Sequence, residues 1–405
     1  MAMRLAIVGG KLQGTEACYL ARKAGYDPVL VDRRVDTPAS GLAAAQHVFD
    51  VCADAERTRR VLTSCDAVLP ACEDQATLDW LAYYVPRWEI PLLFDLGAYL
   101  VTSSKVASNE LFAELDVPRP LPWPECGFPA VVKPSGASGS EGVRVVVGDR
   151  ELDEARRELE RAGHDVVVEE FVAGPSLSIE VVAWKGRGEA LFATDLEFDA
   201  NYDCKRVSAP VDAPAPVLES LADSILRVAE RLRLSGIMDL EVMVAGHDAK
   251  CTEVDARLPS QTPTAVLHAY DVNLIELLVE TFKRGGVPPV VRGPGRGVVY
   301  EHVCVRNGCL EVIGEHVMGS ARPLRLVDDF FGADEALTDR KDGDAQWVAT
   351  LITRGADIAE ARQRVRLVER TIAAAENLTL VPGAAPPGLE RSQAAEGRDG
   401  TMERG

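Results

Sequence analysis

Two short segments constrain this 405-residue chain more than anything else in it. Gly236-Ile237-Met238-Asp239-Leu240-Glu241 and Thr252-Glu253-Val254-Asp255-Ala256-Arg257 both alternate apolar with polar or charged residues, the period of a β-strand. On strands, Asp239 and Glu241 share one face, and Glu253, Asp255 and Arg257 share one face of the other. Four carboxylates converging beside one arginine repel one another unless further positive charge sits among them. Mg²⁺ held jointly by carboxylates and nucleotide phosphates meets that requirement, with Arg257 stabilising charge on a moving phosphoryl group. A structural salt-bridge network is the alternative.

Composition narrows the classes. With 44 Lys+Arg against 63 Asp+Glu the formal net charge is −19, which argues against nucleic acid or an anionic membrane as partner. A hydrophobic fraction of 47% with 26% charged residues is that of a folded protein, and the length suits two to three domains at about 150 residues each. Nine cysteines without a C-x-x-C pair fit neither a disulfide framework nor a zinc ribbon. No apolar run reaches the roughly 18 residues that span a bilayer, and the N-terminus runs straight into a strand pattern. A cytoplasmic protein with reduced thiols is expected.

The first hundred residues alternate strand and helix: strand Arg4–Val8, a helix from Thr15 to Ala24, strand Pro28–Val31, and apolar runs at Ala67–Pro70 and Pro91–Phe94. That alternation predicts a doubly wound parallel sheet over residues 1–100. Residues 101–177 read as a small α+β unit. A helix from Ser104 to Asp116 and a proline-rich crossing, 118–129, lead to strand Ala130–Lys133, loop Ser135–Gly142, strand Val143–Val147, helix Glu151–Ala162 and strand Asp165–Glu170. Residues 178–382 mix strands with one long amphipathic helix, Val217–Leu234, on which Leu218, Leu221, Ile225, Val228 and Leu232 share a face. Residues 383–405 have the composition of a disordered tail.

Three further segments carry chemistry. Gly9-Gly10-Lys11-Leu12-Gln13-Gly14 precedes Asp32 at a spacing that invites a dinucleotide reading, but Lys11 stands where the second glycine of G-x-G-x-x-G must be. A plain strand–helix turn, or a phosphate- or substrate-contacting loop using Lys11, remain open. Lys133 leaves a buried strand ahead of a Gly/Ser loop that could fold over phosphates, or form a surface hairpin. Glu169-Glu170-Phe171-Val172 is a strand edge suited to pairing with an adenine ring, or an edge protected by charge. Six scattered histidines and the absence of G-x-S-x-G give no support to a zinc site or a hydrolase nucleophile.

In this order (strand lysine with glycine loop, E-E-F-V-x-G hinge, paired acidic strands ending E-x-D-x-R) the motifs resemble the ATP-grasp superfamily over roughly Val101 to Phe282. The turn Gly9–Gly14, the segment Asn201-Tyr202-Asp203-Cys204, the run from Asp255 to Val266 and the continuation Asn273–Leu278 are similar to the ligases of pyrrolysine biosynthesis, which join 3-methylornithine to the ε-amine of L-lysine at the expense of ATP. The resemblance implies an α/β and α+β chain with the ATP-grasp fold behind an N-terminal doubly wound parallel-sheet (pre-ATP-grasp) domain. It implies ATP held by Lys11, Asp32, Asp50, Val51, Lys105, Lys133, Ser140 and the hinge Glu169, Glu170, Phe171 and Val172. Mg²⁺ would lie on Glu241, Glu253 and Asp255. Leu12, Gln13 and Glu73 would face L-lysine. Ser178, Glu180, Tyr202, Asp203, Asp239, Ser260, Gln261 and Thr262 would surround the ornithine-like substrate. Arg257, Lys133 and Asp239 would be the catalytic residues. Many enzymes of this shape pair as homodimers, though no pattern here marks an interface. Lys205, where the family has histidine, would bring a positive charge beside the substrate loop.

Overall fold

Leu5, Ala6 and Ile7 are fully buried, so strand Arg4–Val8 must be covered on both faces, as in a parallel sheet packed between helices. In the computed structural model, which describes residues 2–386 apart from 247, 382 and 385, this strand lies in a four-stranded parallel sheet. The order is Ala45–Val48, Asp27–Asp32, Arg4–Val8, Ala67–Pro70. The expected strand over Pro91–Phe94 does not form. Leu92 makes only an isolated bridge to Val68, and Pro91 has no N–H to give to a ladder. Strand Ala45–Val48, half-exposed along its whole length, takes the opposite edge.

The first helix starts at Leu12 rather than Thr15 and runs to Lys23, which puts Leu12 and Gln13 in its first turn. Its entry is tight. Gly9 has φ +112, and a Cβ on Gly14 would lie 2.1 Å from the Gly9 carbonyl oxygen, so both positions need glycine.

The middle unit is a three-stranded antiparallel sheet, Arg144–Val146, Ala130–Pro134, Val166–Glu170. Helix Asp149–Arg161 seals one face through Leu152 and Ala155. The proline-rich crossing into it is ordered by Trp123 and Phe128, whose ring centres lie 4.8 Å apart.

The remainder is organised by a twelve-stranded sheet. Helix Ala215–Leu232 packs on it through Val217, Leu221, Ile225, Val228 and Ala229. Leu218 and Leu232, expected on the same face, are only partly buried. Nor is this helix alone: Thr262–Tyr270, Leu274–Arg284 and the 19-residue Ile358–Glu376 are helical too. The last buries only Ala361, Val365, Val368, Ile372 and Ala373, a stripe too narrow to stand out in an arginine-rich segment. All nine cysteines are free, and among the described residues no helix is long and apolar enough to cross a membrane. From residue 387 onward the expected disordered tail lies outside the described residues.

Candidate active site

The acidic segments form neighbouring antiparallel strands, Gly236–Ala245 and Asp248–Asp255, with Asp239 opposite Asp255 and Glu241 opposite Glu253. Strand Ser176–Trp184 flanks them, placing Glu180 opposite Asp239 and Ser178 opposite Glu241. Directly opposed residues share a face with Cβ atoms about 5 Å apart. Two rows therefore cross three strands on one face: Asp255–Asp239–Glu180 and Glu253–Glu241–Ser178.

The cations around these rows are already committed. Arg257 reaches Asp255 and Glu73, each at 3.0 Å. Lys105 Nζ lies 2.7 Å from Glu253, and Lys133 pairs with Glu169 at 2.5 Å while donating to the Thr252 carbonyl. Six carboxylates (Glu73, Glu169, Asp239, Glu241, Glu253, Asp255) thus share three cations, and Asp239 Oδ1 is buried without a partner. The titration pattern records this imbalance. Burial, then Glu253 and Asp255, push Glu241 up to about 8. Burial pushes Asp255 up to about 7 despite Arg257, and Asp239, buried beside Asp255, well above the usual range. Burial would raise Glu253 too, but Lys105 and Lys133 outweigh it and hold it below its ordinary value. A closed salt-bridge network would leave no such surplus. The oxygen donors of Glu241, Glu253 and Asp255 suit a hard divalent cation.

Beside the rows lies a cleft of about 130 Å³ lined by Lys105, Lys133, Ser140, Glu169, Phe171, Val172, Glu241 and Glu253. The hinge carboxylates are not free to meet a ligand. Glu169 is held by Lys133 and Asn109, and Glu170 by Lys250 at 2.7 Å and the Leu121 N–H at 3.0 Å. The glycine loop bridges the cleft rather than standing out as a hairpin: Ser138 donates to Glu73 at 2.7 Å and Ser140 to the Tyr202 carbonyl at 2.6 Å.

A separate cavity of about 420 Å³ opens in the N-terminal unit, lined by Lys11, Leu12, Gln13, Asp32, Asp50, Val51, Glu73 and Ser138. The expected nucleotide set therefore divides: Lys11, Asp32, Asp50 and Val51 lie with Leu12, Gln13 and Glu73, away from Lys105 and Lys133. Asp32 accepts from the Gly10 and Arg34 N–H groups, both at 2.8 Å, and so braces the glycine turn. Glu73 joins this cavity to the rows by accepting from Gln13 at 2.9 Å and pairing with Arg257.

A third cavity, of about 90 Å³, is walled by Asp203, Asp239, Arg257, Ser260, Gln261, Thr262 and Glu315. Ser178 and Glu180, both buried, are in the strand beside it, whereas Tyr202 lines the cleft. Gln261 has φ +77 and ψ −58, a strained turn for a non-glycine residue. Lys205 does not line this cavity: its ammonium donates to the Gly383 and Ala384 carbonyls at 3.1 and 3.0 Å. Glu315, which accepts from Ser260 at 2.8 Å, has no motif around it in the sequence.

The helix behind this turn depends on Glu16, which accepts from the Thr264 N–H at 2.7 Å. Burial raises the Glu16 carboxyl to about 7, against an ordinary 4.5, despite its hydrogen bonds from Thr264. A group raised on folding contributes stability fully below its unfolded pKa and loses it as pH rises through the folded one. Glu16→Gln should match the wild-type melting temperature at about pH 4 and exceed it above about pH 7.5, by about 2–4 °C per kcal/mol gained. A constant difference across that range would refute the assignment.

A lysine-lined cleft bridged by a glycine loop beside an acidic strand pair is the arrangement of the ATP-grasp fold, and residues 122–263 match the family described as "D-ala D-ala ligase C-terminus". Biotin carboxylase from Campylobacter jejuni superposes with a TM-score of 0.70 at 12% identity, covering 93% of this chain and 95% of that one. The chain is 32% identical over 363 residues to the 3-methyl-D-ornithine--L-lysine ligase of Methanosarcina acetivorans, covering 89% of this chain and 95% of the relative. It is 35% identical to that of Methanosarcina barkeri over 78% of this chain and 83% of the relative. The protein belongs to the 3-methyl-D-ornithine--L-lysine ligase family.

Proposed function

We propose that the protein is an ATP-dependent ligase that joins the carboxylate of 3-methyl-D-ornithine to the ε-amine of L-lysine. The observation that carries this reading is the surplus of carboxylate in the two cross-strand rows, placed between a lysine-lined cleft and two polar cavities. Lys105 and Lys133 exchange their carboxylate partners for nucleotide phosphates, and Ser140 closes the glycine loop over them. Glu241, Glu253 and Asp255 hold Mg²⁺, which when bound neutralises phosphate charge. Arg257 stabilises the transferring phosphoryl group. The acid substrate sits against Ser178, Glu180, Asp203, Asp239 and Ser260–Thr262, where carboxylates and hydroxyls suit a molecule with two ammonium groups. L-Lysine enters the N-terminal cavity at Leu12, Gln13 and Glu73, and that cavity's Lys11, Asp32, Asp50 and Val51 complete its wall.

The carboxylate takes the γ-phosphoryl group, leaving ADP and an acyl phosphate. The lysine amine, having lost a proton, attacks the carbonyl carbon; the C–N bond forms as the bond to phosphate breaks. Loop closure excludes the water that would hydrolyse the acyl phosphate. The test is mass spectrometry of a reaction containing ATP, Mg²⁺, L-lysine and 3-methyl-D-ornithine, with ADP assayed in parallel. A product at the summed mass of the two amino acids less water, together with ADP, is expected. ADP formed only with other amino acids would overturn the substrate assignment, and no ADP with any pair would overturn the ligase reading.

A further inference from the structure

One short stretch of the C-terminal region holds both loops of the third cavity, and nothing in the sequence singles it out. Gly314, Glu315 and His316 each tie down the turn that carries Asp203. The Gly314 N–H donates to Asp199 at 3.1 Å, the Glu315 N–H to the Cys204 carbonyl at 3.0 Å, and the His316 N–H to Asp203 Oδ2 at 3.0 Å. The His316 ring Nδ1 also meets Asp203 Oδ2. Glycine is required at the head of the stretch, since a Cβ on Gly314 would fall 2.2 Å from Asp203 Oδ2. From the same stretch the Glu315 carboxylate crosses to the other loop, accepting from Ser260 and meeting the Gln261 side chain.

Asp199, Asp203 and His316 could be taken for a cation site, since their ligand atoms lie within 4.8 Å of one another. Asp199 is already spent, however: one oxygen accepts from the Asn201 and Asp203 N–H groups and the other from Gly314. The cluster is a brace. The brace engages Asp203 through Oδ2 alone, on a residue that lines the cavity. Glu315 lines it too, as does Asp239. The Ser260–Gln261 turn that Glu315 holds is the strained one, and strain persists only where the surroundings enforce it.

Building on the reading given under Proposed function, we propose that Glu315 and His316 are specificity-determining positioning residues for the amino acid whose carboxylate is activated. His316 fixes Asp203 so that its second oxygen meets a substrate ammonium, and Glu315 fixes the Ser260–Thr262 turn while adding its own carboxylate to the cavity wall. The ligand class that fits is a diamino acid.

Steady-state kinetics of the full chain, varying ATP, L-lysine and 3-methyl-D-ornithine in turn, test this. Glu315→Ala and His316→Ala should raise KM for 3-methyl-D-ornithine about tenfold or more, as expected for lost charged hydrogen bonds. KM for ATP and L-lysine should stay within about twofold, because neither residue lines the cleft or the N-terminal cavity, whereas a general loss of fold would lower kcat and leave every KM unchanged. His316→Asn, whose amide can still donate to Asp203, should recover most of the loss. Glu315→Gln, which keeps an acceptor for Ser260 but not the charge, should fall between wild type and alanine; it also serves if the alanine variant does not fold. A parallel rise in all three KM values, or no change in any, overturns the inference while an active wild type leaves the ligase reading intact. An inactive wild type overturns both.

Discussion

Glu253→Gln should fold and should release ADP about 10³-fold more slowly than wild type, a loss of about 4 kcal/mol in transition-state stabilisation at 1.4 kcal/mol per decade. Glu253 stands at the junction of cleft and rows, paired with Lys105 and opposite Glu241. The amide keeps the side chain's shape and an oxygen for Lys105, so little packing is lost. What goes is the anionic ligand, and with it the site's preference for a doubly charged cation. After burial, Glu253 is also the neighbour that does most to hold Glu241 high, so its removal relieves that repulsion in the free protein. Lys105 and Lys133, however, hold Glu253 below its ordinary value and lose its charge as a partner, so the melting temperature without metal should hold or fall slightly, and the increment produced by added Mg²⁺ should vanish. Turnover within tenfold of wild type, or an unchanged Mg²⁺ increment, would show that the rows bind no metal.

The parts of this site that were legible in the sequence are those whose chemistry repeats along a strand. Asp239, Glu241, Glu253 and Asp255 alternate with apolar residues, so period-two geometry alone put each pair on one face of its strand, and the register of the two strands sets the pairs side by side. The parallel N-terminal sheet was legible for a similar reason, since strands buried on both faces read as unbroken apolar runs. The misreadings have equally physical causes. Pro91–Phe94 is apolar but begins with a residue that has no N–H to give to a ladder, and it stops at one isolated bridge. Helix Ile358–Glu376 hides a narrow buried stripe among arginines. Lys205, read as a charge beside the substrate, turns to the Gly383 and Ala384 carbonyls, a contact set by a segment 178 residues away. Glu315 and His316 escaped notice because their value is wholly tertiary: only the fold brings residues 199–204 and 260–262 to the same short stretch. The division of the expected nucleotide residues between two cavities is likewise invisible in one dimension, where Lys11 and Lys133 are both simply lysines near glycines.

Arg257→Lys is expected to cost about 10²–10³-fold in kcat, the range seen when one preorganised donor to a developing charge is removed, and lysine should rescue no more than methionine does. Arg257 spans two carboxylates at once, Asp255 through one amino group and Glu73 through Nε, each at 3.0 Å. A planar fork can hold both while presenting its remaining donors to the cavity; a lysine ammonium is a point charge that must choose. Burial works against this guanidinium, but Asp255 and Glu73 outweigh it and keep it firmly protonated. Arg257→Met removes the charge altogether, leaving Asp255 and Asp239 buried without it, and should lower stability by about 3–5 kcal/mol as breaking a buried pair does. The two variants thus separate charge from geometry: similar kcat losses with a stable lysine protein and a destabilised methionine protein are expected. Glu73 extends the consequence. Released from Arg257, it no longer aligns Gln13 in the N-terminal cavity or Ser138 of the glycine loop, so Arg257→Lys should also raise KM for L-lysine, and loop closure and amine binding should weaken together. Arg257→Lys with kcat and the KM for L-lysine both within about threefold of wild type, under conditions where each tenfold step is 1.4 kcal/mol, would show that the fork is dispensable and that Arg257 serves only to balance charge.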